Sequence, residues 1–186
     1  MNRHKATASK PYKNLHIYLV NGTVTESDET LLGGTFIGNW VEGNSAFLFF
    51  SAPAKEQITA LLKSRRGLHL EDSYHFTYED WQGGGLDVLR IGPFLVVPPW
   101  LENPSDEGCI KILLDPGVVF GNCLHPTTRT CLEALSVVAT RTRIDHVLDL
   151  GTGTGILAIA AVLLGARAAL AVDFNPLCNQ NCCREL

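Results

Sequence analysis

The 186-residue chain is 46% hydrophobic and 18% charged, which excludes a disordered segment and suits one ordinary soluble domain or two small ones. A formal net charge of −4 argues against general nucleic-acid binding, which shows as a basic balance. No apolar run approaches the roughly 20 residues that cross a bilayer, and the first stretch lacks the apolar centre of a secretory signal, so the expected setting is cytoplasmic, with no membrane partner and no direct nucleic-acid partner.

Met1 to Lys13, with four basic residues (Arg3, Lys5, Lys10, Lys13) and no acid, reads as a solvated terminus. Leu15 to Val20 is a short apolar strand, and residues 21–35, polar and glycine-bearing, read as a loop. Ser45 to Ser51 (SAFLFFS) is too short for a helix and rich in Phe, which favours a buried strand. A helix follows over AKEQITALLKSRR, with Ser51 and Pro53 at its start, Ile58, Leu61 and Leu62 on one face, and Gly67 at its end. His75 to Trp81 alternates like a strand. Residues 1–81 therefore predict a small α+β domain.

Gly83-Gly84-Gly85 breaks this pattern. Ile91 to Val97 predicts a strand halted by Pro98-Pro99, and NPSDEG (Asn103 to Gly108) is a turn cluster. The domain linker is placed at 82–108. In the second domain, 109–186, Lys111 to Leu114 is a short strand. A helix opens at Pro126 or Thr127 and runs through Thr140, with Cys131, Leu132, Leu135 and Val138 at helical spacing. Then come strand His146–Leu150, a glycine loop, helix Ile156–Leu164, Gly165 as its cap, and strand Ala168–Phe174. That is a βαβ unit, the building block of parallel sheets. The helix ILAIAAVLL is apolar nearly all round and is expected to be covered on more than one face.

The loop, DLGTGTG from Asp149 to Gly155, carries the chemistry. Alternating glycines between a strand and a helix let a ligand reach backbone N–H groups and permit positive φ. The partial positive charge of the helix start suits a carboxylate or phosphate. The nicotinamide fingerprint GxGxxG fails here, because its third glycine falls on Ile156. Asp173, at the end of the next strand, has two oxygens that can accept from vicinal hydroxyls. It can equally cap a helix that begins near Asn175-Pro176. The six cysteines include no CxxC pair, and without a secretory signal they read as reduced thiols, with no metal site.

DLGTGTG resembles the first motif of class I S-adenosylmethionine-dependent methyltransferases. More specifically, LDPGVVFGNCLHPTTRTCLEAL from Leu114, VLDLGTGTGILAIAAVLLGA and VDFNP are similar to the ribosomal protein L-eleven methyltransferase family, PrmA, over roughly residues 72–186. The resemblance implies an α/β architecture: an N-terminal small α+β domain that recognises substrate, then the first part of a Rossmann-like class I methyltransferase domain. It implies S-adenosyl-L-methionine as cofactor, with Thr128, Gly151 and Asp173 as contacts beside Asp149, Gly153 and Gly155 of the loop. It also implies a ribosomal protein as substrate, methylated on lysine and α-amino groups. No catalytic residue is assigned. Thr128 has a second reading, as a helix-start hydroxyl bonded to its own backbone. His125 reads better as shaping the loop with Pro126 than as a base.

Two departures qualify the resemblance. Where the family reads G-T-G ahead of x-H-P-T-T, this chain has Gly121-Asn122-Cys123, which predicts a stiffer or displaced loop. The family's sheet also continues beyond the two strands of the βαβ unit read here, to an asparagine near the transferred methyl. The expectation is a C-terminally truncated chain, poorly active alone, that self-associates or pairs with a complementary chain. The alternative is a non-catalytic remnant or a binding module for a ribosomal protein.

Overall fold

The computed structural model describes residues 9–102, 104 and 108–185, the last three by their backbone alone. Residues 1–8 and most of the expected turn cluster at 103–108 lie outside the described residues. The chain divides into two compact units, one of Tyr12–Trp81 with Asn175–Leu177, the other built on Gln82–Phe174 and the residues from Cys178 onward.

The first unit is an antiparallel sheet with one helix against it. Its strands are β1 (Asn14–Asn21), β2 (Phe36–Glu42), β3 (Ser45–Phe50) and β4 (His69–Thr77), in the order β2-β3-β1-β4. Ala46, Leu48 and Phe50 point to one face by the two-residue period of a strand. With Tyr18 and Val20 they close on Ile58 and Leu61 of α2 (Lys55–Ser64). Helix α2 starts later than its Ser51 and Pro53 signal suggested. Its cap residue, Ala54, has no side-chain oxygen, and the Ala54 N–H donates to the buried Tyr18 hydroxyl at 2.9 Å. A strand position thus sets where the helix begins.

Three readings of this unit change. Residues 21–35 are not all loop: α1 (Glu26–Glu29) forms because the Asp28 carboxylate accepts from the Thr25 N–H and hydroxyl, at 2.8 and 2.7 Å. Strand β2 went unread, since Gly38 and Asn39 dilute its signal; it pairs with β3 through a register shift between Phe36 and Gly38. The strand expected at His75–Trp81 runs instead from His69 to Thr77. Asp80 stops it by accepting from the Thr77 N–H and hydroxyl, at 3.2 and 2.6 Å, and the chain turns into α3 (Tyr78–Gln82).

In the second unit, β5 (Leu89–Ile91) and β6 (Phe94–Val97) form a hairpin inside the segment expected as linker, and β6 pairs in parallel with β7 (Ile110–Leu113). Next come α4 (Pro126–Arg141), β8 (His146–Leu150), α5 (Ile156–Leu163), β9 (Ala168–Val172) and α6 (Pro176–Glu185). Strands β8 and β9 pair in parallel from His146↔Ala168 to Leu150↔Val172, the predicted βαβ unit. Ile91, Phe94, Val96, Ile112, Leu132, Ile156 and Ala160 make the core. Helix α5 is less covered than expected: Ile156, Ala158, Ala160 and Ala161 are buried, while Val162 and Leu163 are exposed. One face of the β8–β9 pair is open as well, with Leu148 58%, Leu150 72% and Leu170 62% exposed. Among the described residues no helix is long and apolar enough to cross a membrane.

Candidate functional site

The site begins where β8 stops. Asp149, buried at the end of the strand, accepts the Thr152 hydroxyl at 2.6 Å, which folds the turn back over the strand. The N–H groups of Gly151 and Thr152 both donate to the Val172 carbonyl, at 2.9 and 3.1 Å, so the turn is tied to the end of β9. Gly151, Gly153 and Gly155 all take positive φ, 71°, 55° and 84°. Side chains resist that region, but what surrounds each glycine differs.

A Cβ on Gly153 would stand 2.4 Å from the Phe120 carbonyl oxygen, and one on Gly155 would stand 2.5 Å from the Cys182 sulfur. Those two glycines answer to packing inside the protein. A Cβ on Gly151 would meet nothing within 4 Å. Gly151 therefore leaves a bare stretch of backbone facing open space, beside an acid and ahead of a helix N-terminus, and a polar ligand can approach there without a side chain in its way.

That acid is Asp173. Its Oδ2 accepts from the Gly153 N–H at 3.0 Å, so the carboxylate sits against the glycine turn. The alternative reading of Asp173 as a helix cap is answered by Asn175, whose Oδ1 takes the Leu177 N–H at 3.0 Å in the first turn of α6. The Asn179 side chain donates to the Asp173 main-chain carbonyl at 3.3 Å.

The second wall is the segment from Asp115 to His125. Asp115 Oδ1 accepts from the Gly117 N–H at 3.0 Å, and Asn181 of α6 donates to the Asp115 carbonyl at 3.2 Å. The Thr154 N–H and hydroxyl donate to the carbonyls of Phe120 and Gly121, at 3.0 and 3.2 Å. His125 caps α4: its Nδ1 accepts from the Thr127 N–H at 3.3 Å and faces the Thr127 hydroxyl at 2.8 Å. This is the loop-shaping role preferred for it. Thr128 lies buried in the first turn of α4.

The departure from G-T-G has a structural form. Cys123 takes φ 65° and is the one non-glycine residue with positive φ among those described. Its side chain is fully buried in the core, and burial pushes the thiol up to about 12, against the pull of the Arg129 guanidinium. Asn122 ties the loop down, donating to the main-chain and side-chain oxygens of Gln82 at 2.8 and 3.0 Å, while its own Oδ1 accepts from the Leu124 N–H at 3.0 Å. Gln82 in turn donates to the Gly117 carbonyl at 2.7 Å.

Asp149, Gly151, Gly153, Gly155 and Asp173 are thus brought together by direct bonds or shared neighbours. The sequence reading missed Gln82 and the Phe120 carbonyl. No side-chain signal marks a carbonyl acceptor, and Gln82 stands 35 residues before its partner Gly117. It also missed the sulfur of Cys182 against Gly155.

A strand, a turn of left-handed glycines, a helix and an acid closing the next strand make a Rossmann-like unit of the class I methyltransferase type. The family model described as "Ribosomal protein L11 methyltransferase (PrmA)" matches residues 53–182, and the chain belongs to that family. A ribosomal protein L11 methyltransferase of Geobacter sulfurreducens is 40% identical over 148 residues, covering 75% of this chain and 44% of the relative. One of Chloroflexus aurantiacus is 48% identical over 103 residues, covering 53% of this chain and 31% of the relative. The crystal structure of a ribosomal protein L11 methylase from Lactobacillus delbrueckii subsp. bulgaricus is 31% identical, covers 53% of this chain and 50% of that one, and superposes with a TM-score of 0.44. The chain spans about half the length, or less, of these relatives.

Proposed function

We propose that this chain carries the cofactor-binding part of an S-adenosylmethionine-dependent protein methyltransferase acting on amino groups of a ribosomal protein, in the cytoplasm. Residues 1–81 serve substrate recognition, 82–108 lead into the catalytic part, and 109–186 hold the cofactor. The observation that carries this reading is the open backbone at Gly151 beside the Asp173 carboxylate. Membership of the methyltransferase family supports it.

The donor set fits the cofactor. Asp173 offers carboxylate oxygens to the ribose hydroxyls. Gly151 lets the methionine portion approach the main chain, with Asp149, Gly153 and Gly155 fixing the turn. The Thr128 hydroxyl supplies a donor for the amino-acid carboxylate. When bound, S-adenosylmethionine supplies a methyl group on a cationic sulfonium. The protein's own work is to hold the accepting amine in line, neutral and shielded from water. Orientation and desolvation do more here than a strong base, which agrees with a His125 engaged in capping.

Calorimetric titration of S-adenosylmethionine into the purified chain tests the reading. The expected result is binding that Asp173→Ala abolishes and Gly151→Val severely weakens. Binding indifferent to both substitutions overturns it. A ribosomal protein captured through residues 1–81, with no cofactor binding at all, supports the binding-module alternative.

A further inference from the structure

The segment from Gly117 to Asn122 leans on the glycine turn, and its two ends meet at one side chain. Gln82, buried at the end of α3, donates through Nε2 to the Gly117 carbonyl at 2.7 Å and accepts through Oε1 from the Asn122 amide at 3.0 Å. The same Asn122 amide donates to the Gln82 main-chain carbonyl at 2.8 Å, and its oxygen takes the Leu124 N–H at 3.0 Å. Asn122 stands where the family reads threonine. A hydroxyl has one hydrogen to give and an amide nitrogen has two, so the tie to both oxygens of Gln82 needs an amide. The next residue, Cys123, is held at φ 65°, and Arg129 Nε donates to its carbonyl at 2.8 Å. Backbone strain of that kind persists only where the surroundings determine it.

Between these anchored ends lie the contacts on the turn itself. The Phe120 carbonyl accepts from the Thr154 N–H at 3.0 Å and bars a Cβ at Gly153, and the Gly121 carbonyl accepts from the Thr154 hydroxyl at 3.2 Å. Gly153 in turn donates its N–H to the Asp173 carboxylate at 3.0 Å. We infer, resting on the cofactor role proposed for Gly151 and Asp173, that Gln82 is a positioning residue for the cofactor site. It clamps both ends of the segment, the clamped segment holds Phe120 and Gly121 against the turn, and the turn meets the cofactor already shaped. The position demands a group that donates at one end and accepts at the other. A carboxylate of the same shape sets an oxygen against the Gly117 carbonyl oxygen, whereas a protonated carboxyl again donates there and accepts from Asn122.

The test is calorimetric, with S-adenosylhomocysteine as probe and the whole chain as receptor. Gln82→Met keeps the length and removes the bonds, and is expected to weaken binding about five- to thirtyfold. Gln82→Glu is expected to bind as poorly at pH 8 and to regain most of the unaltered chain's affinity below about pH 5, as the new carboxyl takes up its proton. Each variant is compared with the unaltered chain at the same pH, so groups common to both, Asp115 and Asp173 among them, cancel. Hydrogen exchange without ligand gives a second readout. Gln82→Met is expected to speed exchange at the Thr154 N–H and to spare the N–H groups of Gly151 and Thr152, which Val172 holds. A Gln82→Glu deficit that is the same at every pH would mean that Gln82 only fills space, and overturns the inference, as does unchanged exchange at Thr154. Unchanged affinity in both Gln82 variants, with binding abolished in Asp173→Ala, overturns the role of Gln82 and spares that of Asp173. Indifference to Asp173→Ala, or no binding by the unaltered chain, overturns both.

Discussion

Two of the sheets of this protein hold their shape by different means. In the four-stranded sheet, order comes from burial: Leu48 and Phe50 are completely covered, and α2 seals that face. In the β8–β9 pair one face is covered by α5 and the other shows Leu148, Leu150 and Leu170 to solvent. The glycine turn at the end of that pair is nevertheless closely determined. It is held by polar bonds: Thr152 to Asp149, Gly151 and Thr152 to Val172, Gly153 to Asp173, and Thr154 to Phe120 and Gly121. Apolar burial fixes the first region, and a hydrogen-bonded knot fixes the second. A ligand-binding turn can thus be preorganised on a thinly covered sheet.

The widest gap between the regions is expected from matched truncations. Phe50→Ala empties a packed position and is expected to cost about 3–5 kcal/mol of unfolding free energy. Leu150→Ala removes a side chain already in water and is expected to change it by less than about 0.5 kcal/mol. Denaturant unfolding measures both, and equal losses would break the comparison. Leu150→Lys with Leu170→Lys is expected to lower concentration-dependent association of the chain, read by sedimentation, because it puts charge on an open apolar face.

Within the knot, two glycines are expected to separate. Gly153→Ala drives a Cβ against a backbone oxygen at positive φ, and is expected to cost about 3 kcal/mol or more and to abolish cofactor binding. Gly151→Ala meets only the backbone preference, about 1 kcal/mol, and is expected to lower affinity while the fold survives. Thermal unfolding beside calorimetry distinguishes the two. Similar unfolding curves for both variants would show that the Phe120 contact does not constrain the turn.

Smaller effects belong to the charges of the first region. Burial raises the Asp28 carboxyl, but hydrogen bonds from Thr25 and the Arg65 guanidinium at 3.0 Å outweigh it, leaving a value below the ordinary 3.8. A depressed acid stabilises the fold fully above its unfolded value, and that stability fades as pH falls through the folded value. Asp28→Asn is expected to cost about 1–2 kcal/mol at neutral pH and progressively less below about pH 4. An Asp28→Asn penalty that stays undiminished however far the pH falls below about 4 would contradict this. Smallest is His16, stacked on His75 with ring centroids 4.5 Å apart. Burial first, and the His75 charge second, hold it below its ordinary 6.5. The fold favours the neutral ring, so stability present above 6.5 is expected to fall as the pH drops below it. His16→Gln is expected to flatten that slope by under about 1 kcal/mol; an unchanged slope would place the titration elsewhere.

Legibility in the sequence followed the same division. Strand β8 was read to the residue, and α4, α5 and β9 nearly so, because DLGTGTG, HPTT and the apolar runs around them leave few alternatives. The first region was read in outline only. Its boundaries are set by partners distant in sequence, such as Tyr18 under Ala54, or by single side-chain bonds, such as Asp80 on Thr77. In the candidate site, Asp149, the glycines and Asp173 were visible as motifs. The Gln82–Asn122 tie and the sulfurs of α6 were not, since they depend on which atoms the fold brings together.

Gly153 and Gly121 have a joint consequence for how such a site can change over generations. Each glycine leaves room for an atom on the other segment: the Phe120 carbonyl for Gly153, the Thr154 hydroxyl for Gly121. Neither stretch can acquire a side chain at its crossing point unless the other gives way. Two short words, separated by about thirty letters of sequence, are therefore expected to be inherited as one. A graft that carries DLGTGTG into a new scaffold without the FG that leans on it brings only half of the device.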